Sequence, residues 1–327
     1  MAATSACKTR RVATHLVTGV AGFIGSQIAE ALVAGGESVV GVDCFTPYYP
    51  RTAKEENLAQ LRDHDRFSFH DVDLRTDQIE PLLDQVSVVY HQAAQPGVRL
   101  SWSDGFETYE RCNVLGTQRL LEAARGQRVE RLVYASSSSV YGNAAQYPVR
   151  EDHLPRPHSP YGVTKLAGEH LCNLYASNFD VSTVSLRYFT VYGPRQRPDM
   201  AHHRLIEAAL AGTSFPLYGD GNHVRDFTYV GDVVRANLLA GTAEVAPGTV
   251  VNICAGGSTR MADLIDEVGQ AVGQPVRIDR LPDQPGDVLR TGGDNEAALS
   301  KLGWSPQTDL TSGIAAQVDW HRASTGL

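Results

Sequence analysis

No apolar run in the sequence approaches the ~18 residues that a membrane span requires, and the opening MAATSACKTRR lacks the apolar centre of a secretory signal. A cytoplasmic location with no membrane partner is the expectation. Cysteine is sparse: Cys7, Cys44, Cys112, Cys172 and Cys254 are odd in number, far apart and never spaced C-x-x-C. That pattern speaks against a disulfide framework and for a reduced compartment. Positive charge is also short, with 29 Lys and Arg against 37 Asp and Glu and a formal net charge of -8. No basic stripe offers a nucleic-acid surface, although a small cationic pocket for an anionic ligand remains compatible with this balance. Internal repeats and low-complexity stretches are missing too.

What is present is a chain of 327 residues with 42% hydrophobic and 20% charged residues, ordinary for a globular protein. That length suits a large domain joined to a smaller one. From Thr14, short β-branched runs alternate with helical patterns, the signature of βαβ units feeding a parallel sheet. The expected strands are His15–Thr18, Ser38–Asp43, Arg66–Asp71, Val86–His91, Arg131–Ser136 and Val181–Tyr188. Helices are expected over Gly22–Ala34 and Tyr109–Ala124, with another over Ser159–Ser177, where Ser caps and Pro160 takes the first helical position. After Tyr188 the stretches Gly193–Asp226 and Gln274–Gly293 are rich in Gly, Pro, Arg and His. The fold class is therefore α/β, a doubly wound parallel sheet with a smaller α/β domain. Residues 1–189 and 228–254 are assigned to the first and 190–227 and 255–327 to the second, with Thr249–Cys254 returning to the sheet.

Gly19-Val20-Ala21-Gly22-Phe23-Ile24-Gly25 follows an expected strand and opens an expected helix, the context of a dinucleotide-binding Rossmann loop. Gly19 allows the tight turn, Gly22 the approach of a pyrophosphate and Gly25 close helix–strand packing, while free amides at the helix start bind the anion. Asp43 ends the second strand, eighteen residues after Gly25. An acid there accepts hydrogen bonds from an adenosine ribose and repels a ribose phosphate, favouring NAD over NADP; a strand-end capping acid is the alternative.

Tyr161 and Lys165, in YGVTK, stand at i and i+4 on one helical face. Ser137, in YASSSSVYG, ends the fifth strand, where a doubly wound sheet places its ligands. A phenolate removing a proton from a substrate hydroxyl needs a pKa ~3 units below the usual ~10, about 4 kcal/mol. That is comparable to one cation at ~4 Å with an effective dielectric of ~20. Lys165 and a positive nicotinamide together supply this in the expected mechanism, with Ser137 sharing the proton transfer.

The spacing G-x-x-G-x-x-G, the Tyr-Lys pair and the serine together resemble the extended short-chain dehydrogenase/reductase family of NAD-dependent sugar-nucleotide epimerases, along nearly the whole chain. The resemblance implies that Asp73 and Leu74 contact adenine, that Gln92, Ala93 and Ala94 after His91 line the cofactor, that Asn113 is the structural asparagine of that site and that Lys165 holds the nicotinamide ribose. Tyr188 is placed with the cofactor as well. Relatives that eliminate water or carbon dioxide carry acids directly after the catalytic Ser or Thr, where this chain has Ser138 and Ser139. Return of the hydride to a 4-keto sugar, and hence epimerisation, is the expected outcome.

Further segments resemble UDP-glucuronic acid 4-epimerases: Gln95 to Arg99, Phe189 to Met200, Arg225 to Val230 and Gln284 to Val288. By that resemblance Arg225 contacts the UDP diphosphate, unless it is a surface arginine paired with Asp226, and Tyr218 borders the uracil or merely forms a turn. Gln95, Arg99 and Asp287 join the substrate site. Neutral-sugar 4-epimerases usually have Asn where Thr190 stands and Arg where Gln284 stands. A buried substrate carboxylate needs donors; Ser138, Ser139, Thr190 and Arg197 are the candidates, Arg197 being otherwise a domain-linking arginine. UDP-glucose and UDP-N-acetylglucosamine remain alternative substrates, and a non-catalytic NAD(H) sensor an alternative class. Family resemblance also implies a homodimer. No metal is expected: no carboxylate or cysteine completes a ligand set at useful spacing around His202 and His203, which are expected to be solvated helix residues.

Overall fold

The computed structural model describes residues 12–282 and 287–325. Gln284, the opening tail and Cys7 lie outside them. Seven runs form one parallel sheet: β1 (Thr14–Thr18), β2 (Ser38–Asp43), β3 (Phe67–Asp71), β4 (Val86–His91), β5 (Arg131–Ser137), β6 (Thr183–Tyr188) and, much later, β11 (Thr249–Ile253). Their spatial order is β3-β2-β1-β4-β5-β6-β11, with every neighbouring pair parallel. All six residues of β6 are buried; helices cover both faces, which explains why the strands read as short continuous apolar runs. The strand order reverses between β1 and β4, and a crevice opens beyond their carboxyl ends.

Local chemistry sets the helix boundaries. In α1 (Phe23–Ala34), Phe23, Ile28, Leu32 and Val33 face the core, and the helix stops at Gly35. The α5 helix (Pro160–Phe179) opens where the sequence predicts: the Ser159 hydroxyl accepts from the Gly162 amide at 3.1 Å and Pro160 takes the first position. It ends at Asp180, in the left-handed region at φ 55°. The expected helix Tyr109–Ala124 is not uniform. Short α3 (Phe106–Tyr109) passes into a π-helical stretch, Glu110–Leu115, before α4 (Gly116–Ala124).

The remaining elements build the smaller unit. Two short parallel pairs, β7 (Thr190–Tyr192) with β10 (Phe227–Tyr229) and β8 (Ser214–Tyr218) with β13 (Arg277–Leu281), and the antiparallel pair β9 (Val224–Arg225) with β12 (Thr259–Arg260) lie among α6 (Ala201–Ala211), α8 (Met261–Val272) and α10 (Leu310–Thr325). Leu205, Ile206, Phe215, Leu264, Val268, Ile314 and Val318 form its core. The expected division needs one correction. Ala298 and Leu302 of α9 (Glu296–Leu302) and the fully buried Trp304 belong to the core of the large sheet, together with α7 (Val230–Thr242). The indole Nε1 donates to the Asp232 carbonyl at 2.8 Å, and the Asp232 carboxylate accepts from the amides of Gln307 and Thr308. These bonds tie residues 304–308 to the large unit.

Candidate active site

The loop after β1 shows why glycine is required there. Gly19 has φ +67°, and a Cβ on it would lie 2.8 Å from the Ala93 nitrogen; a Cβ on Gly25 would run into the Gly19 carbonyl. Helix α1 starts with no side-chain cap and no acid in its first turn. Its first amides therefore face the crevice without a competing protein anion, which fits a pyrophosphate. Asp43, at the end of β2, accepts from the amides of Ala21 at 3.1 Å and Phe45 at 2.8 Å, and burial raises its carboxyl pKa. It is a strand-end cap and a wall of the crevice at once.

The crevice has about 1180 Å³ of open space. It is lined by the predicted Gly19, Gly22, Phe23, Ile24 and Gly25 of the loop, by Asp43, Asp73 and Leu74, by Gln92, Ala93, Ala94 and Gln95 after β4, and by Tyr161, Lys165, Tyr188 and Arg197. Asn113 is a different case. Its amide accepts from the Gln95 nitrogen and donates to the Gln95 carbonyl and to Thr164 Oγ1, so it positions Gln95 from behind the wall rather than lining the crevice. His91 is likewise scaffold: its ring is held between the Thr18 and Thr117 hydroxyls at 2.7 and 3.0 Å, and burial pulls its pKa down to about 3.

At the reacting end, Tyr161 lies edge-on to Tyr109, ring centroids 6.2 Å apart. Burial pushes the Tyr161 phenol above its usual pKa, while a hydrogen bond with Ser137 and the Arg197 cation pull it back. Lys165 is also buried, which draws its pKa down to about 8, and its ammonium donates to the Ala135 carbonyl at 2.7 Å. Arg197 therefore joins Lys165, which the sequence placed beside the phenol, as a second cation of the crevice lining. Arg197 is itself held by two hydrogen bonds to Asp199, both 3.0 Å, and Asp199 accepts a third from Tyr48 at 3.2 Å.

Ser138, Ser139 and Thr190 are half-buried close in sequence to Ser137 and to Phe189, outside the crevice lining. A second group gathers beyond them. Arg99 forms an ion pair with Asp287 at 2.8 Å and lies 4.3 Å over the Tyr218 ring. Arg225 is drawn into the same cluster, with burial lowering its pKa and Asp287 the chief opposing influence. Asp226 is not its partner: that carboxylate is fully buried and accepts from the Ala255 and Gly293 amides. Arg99, Tyr218 and Asp287, all expected in the substrate site, are thus grouped, with Arg225 under the influence of the same Asp287 carboxylate.

Sequence reasoning missed Thr46, Tyr48, Tyr49, Lys54 and Arg75, all of which line the crevice. The aromatic run Phe45-Thr46-Pro47-Tyr48-Tyr49 directly after Asp43 was the available signal. The reading of His202 and His203 is overturned. Both are buried: His202 stacks 4.9 Å from Tyr192 and meets Phe227 edge-on at 4.5 Å, while His203 packs against Trp320 and His321. A carboxylate does stand beside the second, Glu207 one helical turn on, with its oxygen 3.1 Å from His203 Nε2.

Residues 15–254 match the NAD dependent epimerase/dehydratase family, and the chain belongs to that family, as an extended short-chain dehydrogenase/reductase. Among solved structures, UDP-glucuronic acid 4-epimerase from Bacillus cereus in complex with UDP-glucuronic acid and NAD is 42% identical, with a TM-score of 0.92 over 95% of this chain and 99% of that one. UDP-glucose 4-epimerase from Thermotoga maritima is 31% identical, with a TM-score of 0.85 over 95% and 99%. The uncharacterized UDP-glucose epimerase YtcB of Bacillus subtilis is 40% identical over 309 residues, 93% of this chain and 96% of its own length.

Proposed function

We propose that the protein is an NAD-dependent isomerase that inverts carbon 4 of UDP-glucuronic acid, giving UDP-galacturonic acid through a transient 4-keto sugar. The observation that carries the reading is that Tyr161 and Arg197 line the same crevice as the Gly19–Gly25 loop, with Ser137 behind the lining acting on the Tyr161 phenol. Gly22, Phe23, Asp43 and Lys165 would hold NAD, which supplies the acceptor and then the donor of the hydride at C4. The Tyr161 phenolate takes the O4 proton as the hydroxyl becomes a carbonyl and returns it after the keto sugar has turned over. Ser137, hydrogen-bonded to that phenol, steadies the same oxygen. With Ser138 and Ser139 in place of an acid, no side chain there protonates a leaving group, so the keto sugar's exit is reduction.

The Arg99, Tyr218, Arg225 and Asp287 cluster supports a UDP-binding role, with Arg225 aimed at phosphate. Arg197 together with Thr190 favours the uronic acid over a neutral hexose, because a carboxylate entering a half-dry site needs a cation. The relatives named for UDP-glucuronic acid support the same choice, and those named for UDP-glucose mark the alternative. Initial rates on UDP-glucuronic acid, UDP-glucose and UDP-N-acetylglucosamine test it: the first is expected to turn over fastest, and faster turnover of either neutral sugar rejects the uronate assignment. A homodimer through α4 and α5 belongs to the same proposal, since Val163 and Leu174 of α5 are more than half exposed; light scattering at the mass of one chain removes it.

A further inference from the structure

Away from the crevice, α6 and α10 bring three metal-ligating side chains together. His203 and Glu207 sit one turn apart on α6, and His321 comes from α10, its ring 4.5 Å from that of His203 and perpendicular in aspect at 70°. One ligand atom from each of the three lies within 4.8 Å of the other two. The hydrogen bonding of His203 sets its chemistry. Its Nδ1 is 2.7 Å from the Gln196 carbonyl, and a carbonyl oxygen only accepts, so the proton is on Nδ1. In the neutral ring Nε2 then offers a lone pair, yet it faces a Glu207 carboxylate oxygen at 3.1 Å. Two acceptors at that distance repel unless a positive centre joins them, and that centre is either a proton on Nε2 or a metal ion.

The surroundings favour the metal. A metal-bound imidazole characteristically donates its other N–H to a carbonyl that fixes the ring, and here the anchor is itself rigid. Gln196 is buried; its side chain accepts from the His203 amide at 2.9 Å and from Gln317 at 3.0 Å and donates to the Val191 carbonyl at 2.9 Å. His321 is buried as well and comes from the other helix, so the two imidazoles meet across the contact between α6 and α10. Three ligand atoms brought by two helices within 4.8 Å of one another match the donor set of a metal ion. Tetrahedral ligands about 2.0–2.1 Å from zinc stand roughly 3.4 Å from one another, so the closest pair already has nearly the required spacing. The other two separations are at most 4.8 Å and close on binding by small shifts of the two rings and of the Glu207 side chain, which is 55% exposed and leaves the fourth position to water.

We propose that His203, Glu207 and His321 bind one divalent transition-metal ion of the zinc class, clamping α6 to α10 one residue away from the segment that carries Arg197. Two imidazoles and one carboxylate suit zinc, cobalt or nickel and not magnesium or calcium. The site stands independently of the sugar assignment. Its test is titration of tag-free, chelator-treated full-length protein with Co²⁺ and Zn²⁺. One Co²⁺ per chain is expected to produce the intense visible absorption of a four-coordinate ion, Zn²⁺ to displace it, and one equivalent of Zn²⁺ to raise Tm. His321→Ala and Glu207→Gln are each expected to weaken Zn²⁺ binding at least about tenfold, while melting cooperatively without metal. Failure of the unsubstituted protein to bind stoichiometric Co²⁺ or Zn²⁺ overturns the proposal and leaves a proton between His203 and Glu207. Equal affinity in the substituted proteins overturns it as well, by locating the ion elsewhere.

Discussion

Tyr161→Phe is expected to lower kcat for the epimerisation by about 10³-fold, within the range for removing a positioned general acid–base group, while NAD binding is unchanged. The phenyl ring preserves the edge-on packing against Tyr109, so the loss reports the hydroxyl and not the fold. The hydroxyl is well placed for proton transfer because its surroundings oppose one another. Burial favours the neutral phenol, and the Ser137 hydrogen bond and the Arg197 charge favour the phenolate. Turnover at the parental rate, measured beside a titration of bound NAD, removes Tyr161 as the base.

Arg197→Ala is expected to reduce kcat/KM for UDP-glucuronic acid by about 100-fold, corresponding to the loss of roughly 2.7 kcal/mol, inside the range for truncating one member of a desolvated charge pair. The arginine has two roles that this substitution separates. Its influence on the Tyr161 phenol serves every sugar, so a modest loss, less than about tenfold, is expected with UDP-glucose. Its guanidinium spends two N–H groups on Asp199 and keeps three for a substrate. Only the uronic acid has a carboxylate to receive them, and the difference between the two losses measures that contact. Kinetics on both sugars check it: equal losses assign Arg197 to the phenol or to folding alone.

The half of the candidate site proposed to hold a dinucleotide was legible in its backbone geometry because its requirements are local. Gly19 must adopt a positive φ beside Ala93, and Asp43 must end a strand; both follow from a few consecutive residues. The strands Ser38–Asp43 and Val86–His91 were readable to the residue, since short β-branched runs between Gly, Asp and Ser have little choice of conformation. What escaped depends on long-range contact. The π-helical turn around Asn113 accompanies bonds to Gln95 and Thr164, distant in sequence. The direction of the Lys165 ammonium was set by the Ala135 carbonyl, thirty residues away. His202 was read as solvated from its polarity, yet the packing of Tyr192 and Phe227 around α6 encloses it.

The account as a whole depends on the hydrogen at C4 leaving the sugar and returning to the same carbon from the other face. UDP-glucuronic acid carrying deuterium at C4, incubated with the purified protein and examined by NMR, tests this directly. The expected product is UDP-galacturonic acid that retains deuterium at C4 and takes none of the solvent's hydrogen at any carbon. Loss of the label to water, or solvent hydrogen appearing at C5, contradicts it and points to inversion by proton abstraction from carbon.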